Sequence, residues 1–235
     1  MKKILAALTA AGATAVLGAG VVDATGPQEV MFEVTITNVS ELGQIDTDRA
    51  GGQIPLSPGA WAVAKGGDNP LFEVGGAAST GVEGVAEDGA VDTLVAEAAA
   101  VNRVSATAPF FGASGPILTG QSSTFTITGT PGDRLFLATM FVQSNDMFFA
   151  NDAGIRLFEG NRAVSGDVTD AVDLWDAGTE VDTAPGTGEF QVLAQGSADS
   201  GPAENDVVTL ATETGDGFDL PANDDVIRVT ITPVG

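Results

Sequence analysis

Cysteine, histidine and tyrosine are absent from this chain. Without cysteine there is no disulfide, no thiol nucleophile and no thiolate metal site. Without histidine there is no Ser-His-Asp relay and none of the usual zinc sites. An exported domain of this kind has to be stabilised by its core, by bound ions, or by both. Lysine is nearly missing as well: beyond residues 1–24 only Lys65 remains, and seven Lys+Arg there face 31 Asp+Glu, a formal charge of −24. Such a surface repels nucleic acid and anionic lipid, so neither is an expected partner. Acidic excess with so little lysine is the composition expected of a protein kept soluble in concentrated salt. It favours a halophilic source over an ordinary acidic secreted protein.

What is present suffices for a core. Of the 235 residues, 43% are hydrophobic, which argues against disorder and fits one large β domain. Met1 to Ala24 reads as a secretory signal peptide, with Lys2-Lys3, an apolar stretch from Ile4 to Val22 and small residues at Val22-Asp23-Ala24. A membrane anchor is the competing reading, and the Gly and Thr content and the lack of a charged stop favour cleavage. No other stretch approaches spanning length. Residues 25–31 then form a short linker, and 32–235 a single domain.

Alternation marks its strands. Phe32 to Thr37 alternates apolar and polar and reads as the first strand, Ser123 to Thr128 as another, and Val226 to Thr232 as the closing one. Leu56 to Ala64, carrying Trp61, is a further strand. Arg134 to Val142 is apolar on both parities, so it is expected at the centre of a sheet with both faces covered. Ile155 to Phe158 is expected to return beside it, enclosing an acidic loop. Thr80-Gly81-Val82-Glu83 fits a capping box, so a short helix is expected to about Glu87, with a second, Ala-rich one between Thr93 and Val101. Asn38-Val39-Ser40 is a glycosylation sequon. Residues 183–206, rich in Gly, Pro, Asp and Ser, are expected to form a long exposed loop. The fold class is therefore mainly β, an antiparallel sandwich with one or two short helices.

Two acidic words stand out, Ser144-Asn145-Asp146-Met147-Phe148-Phe149 and Trp175-Asp176-Ala177-Gly178-Thr179-Glu180. Each sets carboxylates beside bulky apolar residues, where an ionised group is costly to bury unless something positive offsets it. Basic residues are sparse around both, so a cation is the simplest offset. Calcium takes six to eight oxygens from carboxylates, carbonyls and water, and needs neither His nor Cys. The spacing is not that of an EF-hand loop. Composition by itself leaves these acids open between solvated turn groups and cation ligands.

The two words also resemble the marks of the spondin N-terminal (F-spondin type) domain, a Thr/Ser-Asn/Pro-Asp-X-Phe word followed by Asp-Ala-Gly-Thr-Asp/Glu. Leu56-Ser57-Pro58, Leu71-Phe72-Glu73-Val74-Gly75 and Ala86-Glu87-Asp88-Gly89 are further points of similarity, so the resemblance runs from about Phe32 to the C-terminus. It implies a β-sandwich similar to a C2 domain and a calcium ion held by Asp146, Asp176 and Glu180. Asn145, Asp152 and Asp173 are candidates to add ligands or negative potential. The animal modules that adhere to cells or matrix carry Asp more often at the position of Glu180, and come with thrombospondin-type repeats that this chain lacks.

The expected function is a secreted calcium-binding adhesion or ligand-binding module whose partner is an extracellular protein or glycan. The alternative is a structural component of a cell surface or extracellular matrix, in which the ion only rigidifies loops. A carboxylate pair could serve a glycosidase. That chemistry needs an aromatic-lined cleft, whereas the chain has two Trp, no Tyr and twelve Phe that mostly follow strand alternation. The expectation is that the protein is not an enzyme.

Overall fold

The structure is a computed structural model that describes residues 28–234. The expected signal peptide, 1–24, lies outside the described residues. Among the described residues thirteen strands and two α-helices follow one another: β1 (Val30–Asn38), β2 (Leu56–Lys65), α1 (Thr80–Asp88), α2 (Asp92–Ala99), β3 (Val104–Phe110), β4 (Ser122–Gly129), β5 (Asp133–Phe141), β6 (Met147–Ala150), β7 (Ile155–Arg156), β8 (Phe158–Glu159), β9 (Arg162–Ala163), β10 (Gly166–Asp167), β11 (Asp173–Asp176), β12 (Thr209–Leu210) and β13 (Ile227–Val234). Val30 and Met31 thus extend the first strand into what reads from sequence as linker.

The expected antiparallel β-sandwich is present. A smaller sheet has the order β10-β13-β1-β4, and a larger one the order β12-β11-β6-β5-β2-β3, with β7 pairing on β5. In β1, Phe32, Val34 and Ile36 are fully buried and point at the larger sheet. On its other face the Thr35 and Thr124 hydroxyls meet at 3.1 Å, as a cross-strand pair does. Leu135, Leu137, Phe149, Val229 and Ile231 fill the space between the sheets. Trp61 of β2 stacks on Phe125 of β4 across the layers, ring centroids 5.4 Å apart.

The larger sheet has a second covered face. Ala60, Ala62, Ala64, Ala138 and Ala150 lie there with Phe136, Phe148 and Trp175, and Val82, Val85, Leu94 and Ala98 of the two helices pack on them. Small residues at these positions let the helices sit close. Two-sided burial explains why β5 is apolar on both parities, with every residue from Leu135 to Phe141 buried. Each fully buried Phe or Leu in these layers contributes about 1.5–3 kcal/mol of transfer free energy.

Local detail differs from the sequence reading in several places. Ile155–Arg156 does return beside β5, as β7, with Arg134 facing Arg156, but β6 comes between them in sequence and pairs with the opposite end of β5. All four residues of Met147–Ala150 are buried, Met147 and Phe149 between the sheets and Phe148 and Ala150 on the face that the helices cover. The cap of α1 is Ser79 rather than Thr80: its Oγ accepts from the Val82 amide at 3.2 Å, and Glu97 of α2, not Glu83, supplies the carboxylate, accepting from Ser79 Oγ at 2.6 Å. The sequon Asn38 is fully buried and donates from Nδ2 to Ile54 O and Ile117 O, so in the folded domain it is a structural clamp. The 183–206 stretch is a long loop, yet Pro185, Gly186, Gly188 and Gln191 in it are buried.

Among the described residues no helix is long and apolar enough to cross a membrane.

Candidate metal centre

Strands β5 and β6 are joined by a tight turn. Ser144 fixes it, donating from Oγ to Phe141 O at 2.7 Å and accepting from the Met147 amide at 3.0 Å. This delivers Asp146, fully buried, to the end of the larger sheet. There β6 pairs with β11 so that Asp176 faces Met147, one residue from Asp146. The chain then reverses at Gly178, whose φ of +66° suits glycine. A Cβ at this position would also meet the Asp206 carbonyl carbon at 2.8 Å, so the turn has no room for a side chain. Segment 202–208 runs alongside, with the Asp206 amide donating to Gly178 O and the Glu204 amide to Thr179 O.

The two words converge through Asp146. Its Oδ2 accepts from the Thr179 amide at 2.7 Å, the Thr179 hydroxyl at 2.9 Å and the Glu180 amide at 3.0 Å. Its Oδ1 is enclosed and has no hydrogen-bond partner. One carboxylate oxygen from each of Asp146, Asp176 and Asp182 lies within 4.8 Å of the others. Both oxygens of Asp182 are likewise enclosed without a partner. None of the three acids has an ion-pair partner; the ion pairs among the described residues are Lys65–Asp133 and Arg228–Asp167.

Electrostatics follows from this packing. Burial, then the charge of Asp176, push the Asp146 carboxyl up to about 7. Burial and the neighbouring Asp176 push Asp182 up to about 10, with Asp146 and Asp216 adding to the repulsion. Burial also raises Asp176, against the Asp182 carboxyl beside it and the hydrogen bond it accepts from the Gly178 amide. Three acids crowded in low dielectric without a compensating base must take up protons or a cation.

The donor set suits a hard cation. All candidate ligands are oxygens, and oxygens bound to one calcium at 2.3–2.6 Å lie at most about 5 Å from one another. The unpartnered Asp146 Oδ1 and Asp182 oxygens are the atoms left for it, while the three donors on Asp146 Oδ2 hold that side chain in place.

Of the three residues expected from sequence, the structure brings Asp146 and Asp176 together. Glu180 stands beside them, but its carboxylate is otherwise engaged: Oε1 accepts from the Gly201 amide at 2.6 Å and Oε2 from Asn145 Nδ2 at 3.2 Å. Asn145 Oδ1 in turn accepts from the Thr183 amide and hydroxyl, so Asn145 is a brace between the two words. Asp182 takes the third place, which the sequence reading missed. The signal was an acid six residues after Asp176 across a glycine turn. Asp173 does not join the group. It faces Ala150 at the far end of the β6–β11 pair, three residues or about 10 Å from Asp176, and its neighbouring acid there is Asp152.

No protein-family model matches the chain, and no curated protein matches it.

Proposed function

We propose that the protein is a secreted, calcium-stabilised binding or adhesion module that holds its partner without transforming it. One observation carries this reading: Asp146, Asp176 and Asp182 converge at the end of the larger sheet, the first two buried and the third half-buried, without a basic partner, and Asp146 Oδ1 is left unpaired. A cation there ties the β5–β6 turn to the 176–182 turn and rigidifies the loops around them. The spondin-like words that form the two turns support calcium as that cation and an extracellular protein or glycan as the partner. The nearly uniform negative charge supports a surface-exposed life in salt and disfavours nucleic acid.

Turnover is disfavoured by the same geometry. A carboxylate pair acting on a glycosidic bond has to reach the sugar, whereas Asp146 and Asp176 are 0% and 2% exposed. A panel of extracellular polysaccharides and matrix proteins tests the reading: calcium-dependent retention without cleavage is expected. Release of reducing sugar that disappears in Asp146→Asn would overturn it.

A further inference from the structure

A second group of acids lies against the first. Glu83 and Glu87 are one turn apart on α1 and so share a face, an unfavourable placement for like charges. The loop 183–206 brings Asp199 to them, and one carboxylate oxygen from each of the three lies within 4.8 Å of the others. An independent feature points to a ligand: Glu87 is 3% exposed, and its Oε2 is enclosed without a hydrogen-bond partner. No ion pair among the described residues involves any of the three.

The loop is already positioned for this contact. Gln195 Nε2 donates to Asp88 Oδ1 at 2.7 Å, docking one side of the loop on the end of α1. The Gly201 amide donates to Glu180 Oε1, docking the other side on the 176–182 turn. Asp199 stands between these anchors and is exposed, so water can complete a coordination shell. Burial, and the charges of Glu180, Glu83 and Asp146, raise the Glu87 carboxyl to about 7, against the Thr179 side chain.

We infer that Glu83, Glu87 and Asp199 form a second divalent-cation site, of calcium type, that pins the 195–201 segment to α1. The oxygen-only donor set and the freedom to keep several waters fit calcium. Because one ligand is exposed and the shell is open, this site fills at higher calcium than the enclosed one.

Calcium alone, titrated calorimetrically into the purified chain in about 1 M KCl, tests this inference separately from the first centre. Two ions per chain are expected, falling to one in Glu87→Gln and in Asp199→Asn. Asp199→Asn alters an exposed side chain and therefore reports even if Glu87→Gln does not fold. Asp182→Asn is expected to leave the second ion in place; if only that ion is found in the unaltered chain, the second site stands and the first fails. Stoichiometry unchanged by both Glu87→Gln and Asp199→Asn would overturn the inference.

Discussion

Asp146 and Thr179, thirty-three residues apart in sequence, are joined twice through one oxygen: the amide and the hydroxyl of Thr179 both donate to Asp146 Oδ2, at 2.7 and 2.9 Å. The pair links the two acidic words and orients the remaining oxygen of Asp146. Replacing Thr179 by Val removes the hydroxyl and keeps the shape and the amide. The expected cost is about 1 kcal/mol, the net worth of one hydrogen bond, with a severalfold loss of calcium affinity as Asp146 gains freedom. Thermal melts with and without calcium measure both.

The raised carboxyls predict how stability depends on pH when no divalent cation is present. Asp146 is raised from 3.8 to about 7, and Asp182 to about 10. Between the unfolded and folded values the native state holds protons that the unfolded chain has released, so stability falls as pH rises, by about 1.4 kcal/mol per pH unit for each such group. The contribution is complete below about pH 4 and for Asp146 is lost as pH rises through about 7. Denaturation in EDTA from pH 4 to 8 is expected to show this decline. Calcium is expected to flatten it by replacing the protons, and stability that climbs across this range in EDTA would contradict the account.

The legible parts of the fold were those whose burial has a period. β1, β4 and β13 each bury one face and show it as alternation, and β5 buries both and shows an unbroken apolar run. β6 was hidden because four apolar residues beside an acidic turn have no period of their own. The first carboxylates were legible because Asp146 and Asp176 end strands. Asp182 was not, since nothing local distinguishes it from a solvated loop acid, nor were the contacts of Glu180 with Asn145 and Gly201, which depend on segments more than twenty residues away. Ser79 does not stand out as the cap in sequence because its carboxylate partner, Glu97, comes from a different helix.

Salt is expected to strengthen the fold. Only two ion pairs occur among the described residues, and both involve exposed groups. Screening therefore removes little attraction and much self-repulsion, as the Debye length falls from about 10 Å at 0.1 M to about 3 Å at 1 M. Circular dichroism in rising KCl is expected to show a growing β signal at low salt and a rising melting temperature. Equal heat resistance at low and high salt would count against the halophilic reading.

The central claim is that Asp146, Asp176 and Asp182 hold calcium, and the melting temperature of unaltered and Asp182→Asn protein in calcium and in EDTA tests it most directly. Because the ligands converge only in the folded chain, calcium at a hundredfold excess over its dissociation constant stabilises by about 2.7 kcal/mol. For a domain of this size that is roughly 5–10 °C. The account predicts that EDTA lowers the midpoint of the unaltered protein by about this amount and that Asp182→Asn shows a much smaller calcium-dependent shift, with its midpoint in EDTA no lower than that of the unaltered protein because the cost of protonating that carboxyl on folding has gone. Equal midpoints of the unaltered protein in calcium and in EDTA, or an undiminished calcium shift in Asp182→Asn, would contradict it.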